Sequence, residues 1–241
     1  MRQEITAEEY LKDPCGVSSL PFWKTEQTEI PQGMKIVPED QFDAAACKGT
    51  AEPYFRLICR PAECVQPEMP EGFETVVCSV DEYAQHINSC YELEGVMPQE
   101  VNEWRLRPVY DPELWIAVKD RKNGKIAATG IAEIDRRIGE GILEWIQVSP
   151  EYRRRGLGQY VVKELLYRMK EKAGFVTVSG KMKNENNPYG MYTACGFGEG
   201  KVWVVVNEAG SRRDEVGGPS TALPTYRLRR MTSHKEKTAS G

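Results

Sequence analysis

The spacing of apolar residues changes most sharply in the second half of the chain. Over residues 142–148 apolar positions alternate with polar ones and β-branched and aromatic side chains are frequent, which predicts a strand. Ser149 and Pro150 stop it. From Leu157 the spacing becomes helical: Val161, Val162, Leu165, Leu166 and Met169 form an apolar stripe, Lys163, Glu164, Arg168 and Glu171 face away, and Gly174 ends the pattern. A strand, a loop bearing Gly156 and Gly158, and a helix therefore follow one another without a spare residue.

The remaining pattern can be arranged around this unit. Thr6 and Glu9 have the spacing of a capping box and predict a short first helix. Residues 13–24 form an aromatic loop with two prolines, whose Phe22 and Trp23 either pack it onto the main domain or make it a lid. Residues 54–59 read as one strand, and 61–72, with three prolines, as a linker. Next come a strand over 74–79, a helix over 80–94 with Asp81 as its N-cap, and a helix from 99 to about 107. Tyr83, Ile87, Cys90 and Tyr91 lie at helical spacing in the first of these helices. Strands over 114–118 and 126–134 are joined through Asn123 and Gly124, a hairpin signal. A strand over 175–179, a short helix containing Tyr192 and a strand over 201–206 complete a mixed, mostly antiparallel α/β sheet.

Composition narrows the class. A chain of 241 residues, 40% hydrophobic and 28% charged, can bury the core of one sizeable domain and carry extensions. No apolar run approaches the roughly 20 residues that span a bilayer, and the first residues are charged rather than leader-like, so a cytoplasmic chain with no membrane partner is expected. The seven cysteines (Cys15, Cys47, Cys59, Cys64, Cys78, Cys90 and Cys195) are odd in number and scattered, with no C-x-x-C pair. Only His86 and His234 accompany them, so neither a disulfide framework nor a metal site is indicated. A net charge of −4 gives no electrostatic case for nucleic acid.

The glycine loop has the chemistry of an anion site. Gly156 and Gly158 lack β-carbons, so main-chain N–H groups of the loop and first helical turn can close on a bulky oxyanion. Arg153, Arg154 and Arg155 lie beside the positive end of the helix dipole. A pyrophosphate fits. A P-loop would need Lys and Ser or Thr where Gln159 and Tyr160 stand, and a dinucleotide fingerprint would need a third glycine.

Arg153, Gly156 and Gly158 read as R-x-x-G-x-G after Val148-Ser149-Pro150, and a second block runs from Asn186 and Asn187 through Tyr189, Tyr192 and Cys195 to Gly196-Phe197. Together they resemble the GNAT superfamily of N-acetyltransferases, over about residues 73–207. The resemblance implies an α+β fold with helices on both faces of the sheet and splayed central strands, and leaves residues 1–72 as an N-terminal extension that this fold does not require. After Asn207 the composition turns to Gly, Ser, Arg, Thr and Lys with little periodicity, which predicts a largely disordered tail (208–241). The resemblance also implies acetyl-CoA as co-substrate, its pantetheine arm along Ile146, Gln147 and Val148 and its pyrophosphate on Arg153, Arg154, Arg155, Gly156, Leu157, Gly158 and Gln159, with Asn187 and Tyr192 also in contact.

In the same resemblance Tyr192 donates to the coenzyme A sulfur. With reference values of about 10 for a phenol and about 8.5 for a thiol, full proton transfer is uphill by about 2 kcal/mol, so donation in the transition state is the expected role. Glu144, the one carboxylate among Ile142, Ile146 and Val148 on its strand face, is either the base or a structural ion pair, and Glu133 is the substitute. Direct attack by an amine leaves Cys195 no nucleophilic role. The expected activity is acetyl transfer to a primary amine of a small molecule or peptide by a monomer or homodimer. The alternative is a catalytically silent acyl-CoA-binding sensor or interaction module.

Overall fold

The computed structural model describes residues 5–91 and 95–208. The tail expected from 208 onward lies, except for Glu208, outside the described residues. The capping box at Thr6 and Glu9 forms and opens α1 (Ala7–Lys12). After the aromatic loop come α2 (Phe22–Thr25), β1 (Met34–Pro38) and β2 (Thr50–Cys59). The expected domain then supplies β3 (Phe73–Val76), α3 (Val80–Cys90), α4 (Pro98–Trp104), β4 (Trp115–Asp120), β5 (Ile126–Asp135) and β6 (Glu140–Val148). α5 (Leu157–Met169), β7 (Phe175–Lys181), α6 (Pro188–Ala194) and β8 (Gly198–Asn207) complete it. The cap of α3 is Ser79, which accepts the Glu82 N–H, and not Asp81, which lies inside the first turn.

All eight strands belong to one sheet in the order β1-β8-β2-β7-β6-β5-β4-β3. Only β6 and β7 pair in parallel; every other neighbouring pair is antiparallel. The segment before residue 72 is thus built into the sheet, because β2 lies between β7 and β8 and hydrogen-bonds to both. Its burial matches this position: Phe55, Leu57 and Cys59 enter the core under α5 while Tyr54 and Ile58 are buried in clusters with residues of the N-terminal segment, a two-sided burial typical of an interior strand. Arg56, on the second face, is 1% exposed and meets the carboxylate of Glu140 at 3.1 Å. That carboxylate also accepts from Tyr10, Thr177 and the Phe22 N–H, so β6 is tied to α1 and α2.

On one face α5 packs Val161, Leu165 and Met169 against the sheet. On the other, α3 and α4 cover Ala117, Ile131 and Trp145 with Tyr83, Ile87 and Val101. The strict alternation expected along 142–148 does not hold. Ile131 pairs with Trp145 but Ala132 with Leu143, which leaves Glu144 as the extra residue of a β-bulge. Ile142 therefore packs with Trp23 and Val109, whereas Leu143 and Ile146 join the core under α5, and Glu144 does not share one apolar row with Ile142, Ile146 and Val148.

Candidate active site

The parallel pairing of β6 with β7 runs only from Glu140↔Phe175 to Leu143↔Val178. Beyond that the strands part, because β7 stays bonded to β2 up to Lys181 while β6 continues with β5 to Val148. A cavity of about 530 Å³ occupies the wedge. Its walls include Ile146, Gln147 and Val148 from β6, Arg153, Arg154, Gly156, Leu157, Gly158 and Gln159 from the loop and α5, and Asn187 and Tyr192 from α6. Of the residues assigned to coenzyme A from the sequence, Arg155 stands apart: its guanidinium lies over the rings of Phe73 (4.8 Å) and Tyr152 (5.6 Å) and is not part of the lining.

The loop is shaped for close approach. Arg154 and Gly156 both have positive φ, 61° and 81°, and Gly156 caps α5 without any side-chain hydrogen bond. The first N–H groups of a 13-residue helix are thus free of side-chain caps where the helix meets the cavity. Within the wedge two carbonyls of β6 meet side chains instead of a strand: Tyr91 donates its hydroxyl to Ile146 O at 3.4 Å, and Arg153 donates Nε–H to Val148 O at 3.2 Å. These are the groups an extended amide chain would use, and both partners are side chains able to swing away. The residues present therefore fit coenzyme A.

Tyr192 is 1% exposed, set edge-on to Phe55 and Phe197, and burial raises its phenol well above the ordinary range, which keeps it protonated. Asn187, at a left-handed φ of 44°, accepts the Gly190 N–H with its side chain and so caps α6 as well as lining the cavity. The end of β6 is pinned from α3. His86 Nδ1 lies 2.8 Å from Thr129 Oγ1 and Nε2 2.9 Å from Ser149 Oγ, and burial lowers its pKa to about 4, so a neutral imidazole holds the strand end before the loop.

Glu144 does not line the main cavity. It faces a far smaller space, about 30 Å³, on the side covered by residues 19–24, and its Oε1 is 2.6 Å from Lys24 Nζ. Glu133 pairs with Arg107 at 2.7 Å, and its other oxygen is buried with no hydrogen-bond partner. Burial raises its pKa, Arg107 opposes the rise, and Glu144 adds to it. Both candidate bases are thus salt-bridged. Sequence reasoning missed Lys24, Cys90, Tyr91, Asn184 and Met191 as neighbours of these spaces. Tyr91 gave a signal through its helical spacing, whereas Lys24 had only its place after two aromatics in the loop.

Residues 80–197 match the Acetyltransferase (GNAT) family model. The chain carries a GNAT acetyltransferase domain. Among solved structures, a GCN5-related N-acetyltransferase from Sphaerobacter thermophilus aligns at a TM-score of 0.61 and 16% identity, over 71% of this chain and 57% of its own. The chain thus spans little more than half of that structure. A GNAT-family acetyltransferase from Colwellia psychrerythraea aligns at 0.51 and 12% identity, over 72% of this chain and 64% of its own. At such identities the likeness is one of fold. No curated protein matches the chain. Among the described residues of the GNAT domain and its N-terminal segment, no helix is long and apolar enough to cross a membrane and no group of side chains is arranged to hold a metal ion.

Proposed function

We propose that the wedge between β6 and β7 binds acetyl-CoA and that the chain transfers the acetyl group to a primary amine. The observation that carries this reading is the parting of the strands after Leu143 and Val178, with the uncapped start of α5 at the mouth of the opening. Main-chain N–H groups of Leu157, Gly158 and Gln159, with Arg153 and Arg154, hold the pyrophosphate. The free edge of β6 at Ile146 and Val148 takes the pantetheine amides once Tyr91 and Arg153 release it. When bound, the coenzyme supplies an activated thioester.

In this reading Tyr192 donates a hydrogen bond toward the sulfur, and Glu144, in the bulge just past the last β6–β7 pair, receives the proton that the acceptor amine gives up. Two measurements test it. Acetyl-CoA is expected to bind by calorimetry and to raise the melting temperature, while ATP and NAD leave it unchanged. A panel of amines with acetyl-CoA and thiol detection then identifies acceptors. Absence of acetyl-CoA binding at millimolar concentration would overturn the reading.

A further inference from the structure

The side of β6 from which an acceptor would reach Glu144 is filled by the chain itself. Lys24 is 8% exposed and its ammonium rests on Glu144 at 2.6 Å. Its position is set from several directions: the neighbouring Phe22 N–H donates to Glu140 Oε2 at 3.0 Å, the Phe22 ring packs on Tyr10 at 5.3 Å, and the ammonium lies 5.5 Å from the centre of the Trp23 ring. The space left between residues 19–21, Lys24, Glu144 and β7 is about 30 Å³, room for one water and not for an external amine. Glu144 is also the bulged residue immediately after the last β6–β7 pair, so the group resting on it lies beside the point where the strands part, next to the main cavity though not in its lining. That group is a primary amine, the acceptor class of the reading above.

We propose that Lys24 is an acceptor carried by the chain, and that the protein acetylates its own Lys24 from acetyl-CoA. The inference rests on the proposed acetyl-CoA site. Once a proton has passed from the Lys24 ammonium to Glu144, the freed lone pair attacks the thioester carbonyl carbon; the N–C bond forms and the C–S bond breaks. Of the two protons the nitrogen loses, one leaves through Glu144 to solvent and the other ends on the coenzyme A sulfur. No further reactant is needed.

Burial makes the test selective. In solution an acyl donor modifies exposed amines first, so Lys12 and Lys35, whose side chains are 70% and 67% exposed, are internal references against which Lys24 should be among the last to react. The full chain is treated in parallel with acetic anhydride and with acetyl-CoA, and the sites are followed in time by peptide mass mapping, beside calorimetry of acetyl-CoA binding. The expected result is a reversal of order: Lys24 lags with the anhydride and leads with acetyl-CoA, at a first-order rate independent of protein concentration. Glu144→Gln is expected to slow the Lys24 reaction by about a hundredfold.

The time course of the unmodified chain decides even if that variant does not fold. No acetyl-CoA binding overturns both readings. Binding with Lys24 left unmodified, or modified no faster than Lys12 and Lys35, overturns self-acetylation alone and leaves Lys24 as a counter-ion. Fast anhydride labelling of Lys24 removes the protected position on which the inference is built.

Discussion

At the scale of single residues, the phenol of Tyr192 and the imidazole of His86 are both held by burial in their neutral forms. For Tyr192, in the proposed reaction, this keeps a donor ready where a thiolate would develop. Tyr192→Phe preserves the edge-on contacts with Phe55 and Phe197, so acetyl-CoA affinity should be unchanged while turnover falls about ten- to a hundredfold, the loss of one charge-assisted hydrogen bond. Acetyl-transfer rates beside calorimetric affinities check this, and equal rates would make Tyr192 a packing residue. For His86 the consequence is acid sensitivity. The folded protein holds the ring neutral down to about pH 4, whereas in the unfolded chain it takes up a proton below roughly 6.5. The unfolded state therefore binds more protons in this window, and stability present above about 6.5 is lost as pH falls toward 4, by up to about 3 kcal/mol. Urea midpoints measured across this range should show the fall in the natural protein and a flatter profile in His86→Gln.

At the scale of elements, the loop and the start of α5 form the feature most open to a single change. A β-carbon at Gly158 would stand 2.8 Å from Met191 Sδ and 3.7 Å from Val148 Cγ2, between α5, α6 and the free edge of β6. The flexible end of Met191 can move, so Gly158→Val should fold, but its branched side chain fills the approach to the helix N-terminus and should abolish acetyl-CoA binding in calorimetry. Unchanged affinity in a folded variant would place the ligand elsewhere. This unit was the most legible part of the sequence because a strand period, a stop, two glycines and a helix period are all local signals. The bulge at Glu144 was not legible: the insertion of one residue against β5 depends on the partner's register, and Ile142 and Ile146 gave no local sign that they would face opposite sides. The Lys24–Glu144 pair was hidden for a related reason, since it joins residues brought together only when α2 settles on β6.

At the scale of the whole molecule, the sequence boundary near residue 72 is not a boundary of the sheet. Because β2 separates β7 from β8, a chain starting at Phe73 would leave β8 with no partner strand and strip the cover from Glu140 and Glu144. Such a fragment is expected to be insoluble or to melt without a cooperative transition. A sharp calorimetric transition near that of the full chain would show instead that the first 72 residues are dispensable. The apolar run at 54–59 was readable as a strand, but its position in the sheet was not, because one strand pattern fits an edge and an interior place equally until its neighbours are known.

The place of β2 also bears on how the molecule is made. Thr50 pairs with Asn207, and β1 among the described residues pairs with β8, so both early strands wait for a strand about 150 residues further along to be made. Until residue 207 is free, one edge of β2 stays open, and its Tyr54, Phe55, Leu57 and Ile58 form the sort of apolar strand edge that other nascent chains can add to. Synthesis therefore carries a period of exposure set by the time needed to translate from β2 to β8, and a folding step dominated by contacts distant in sequence.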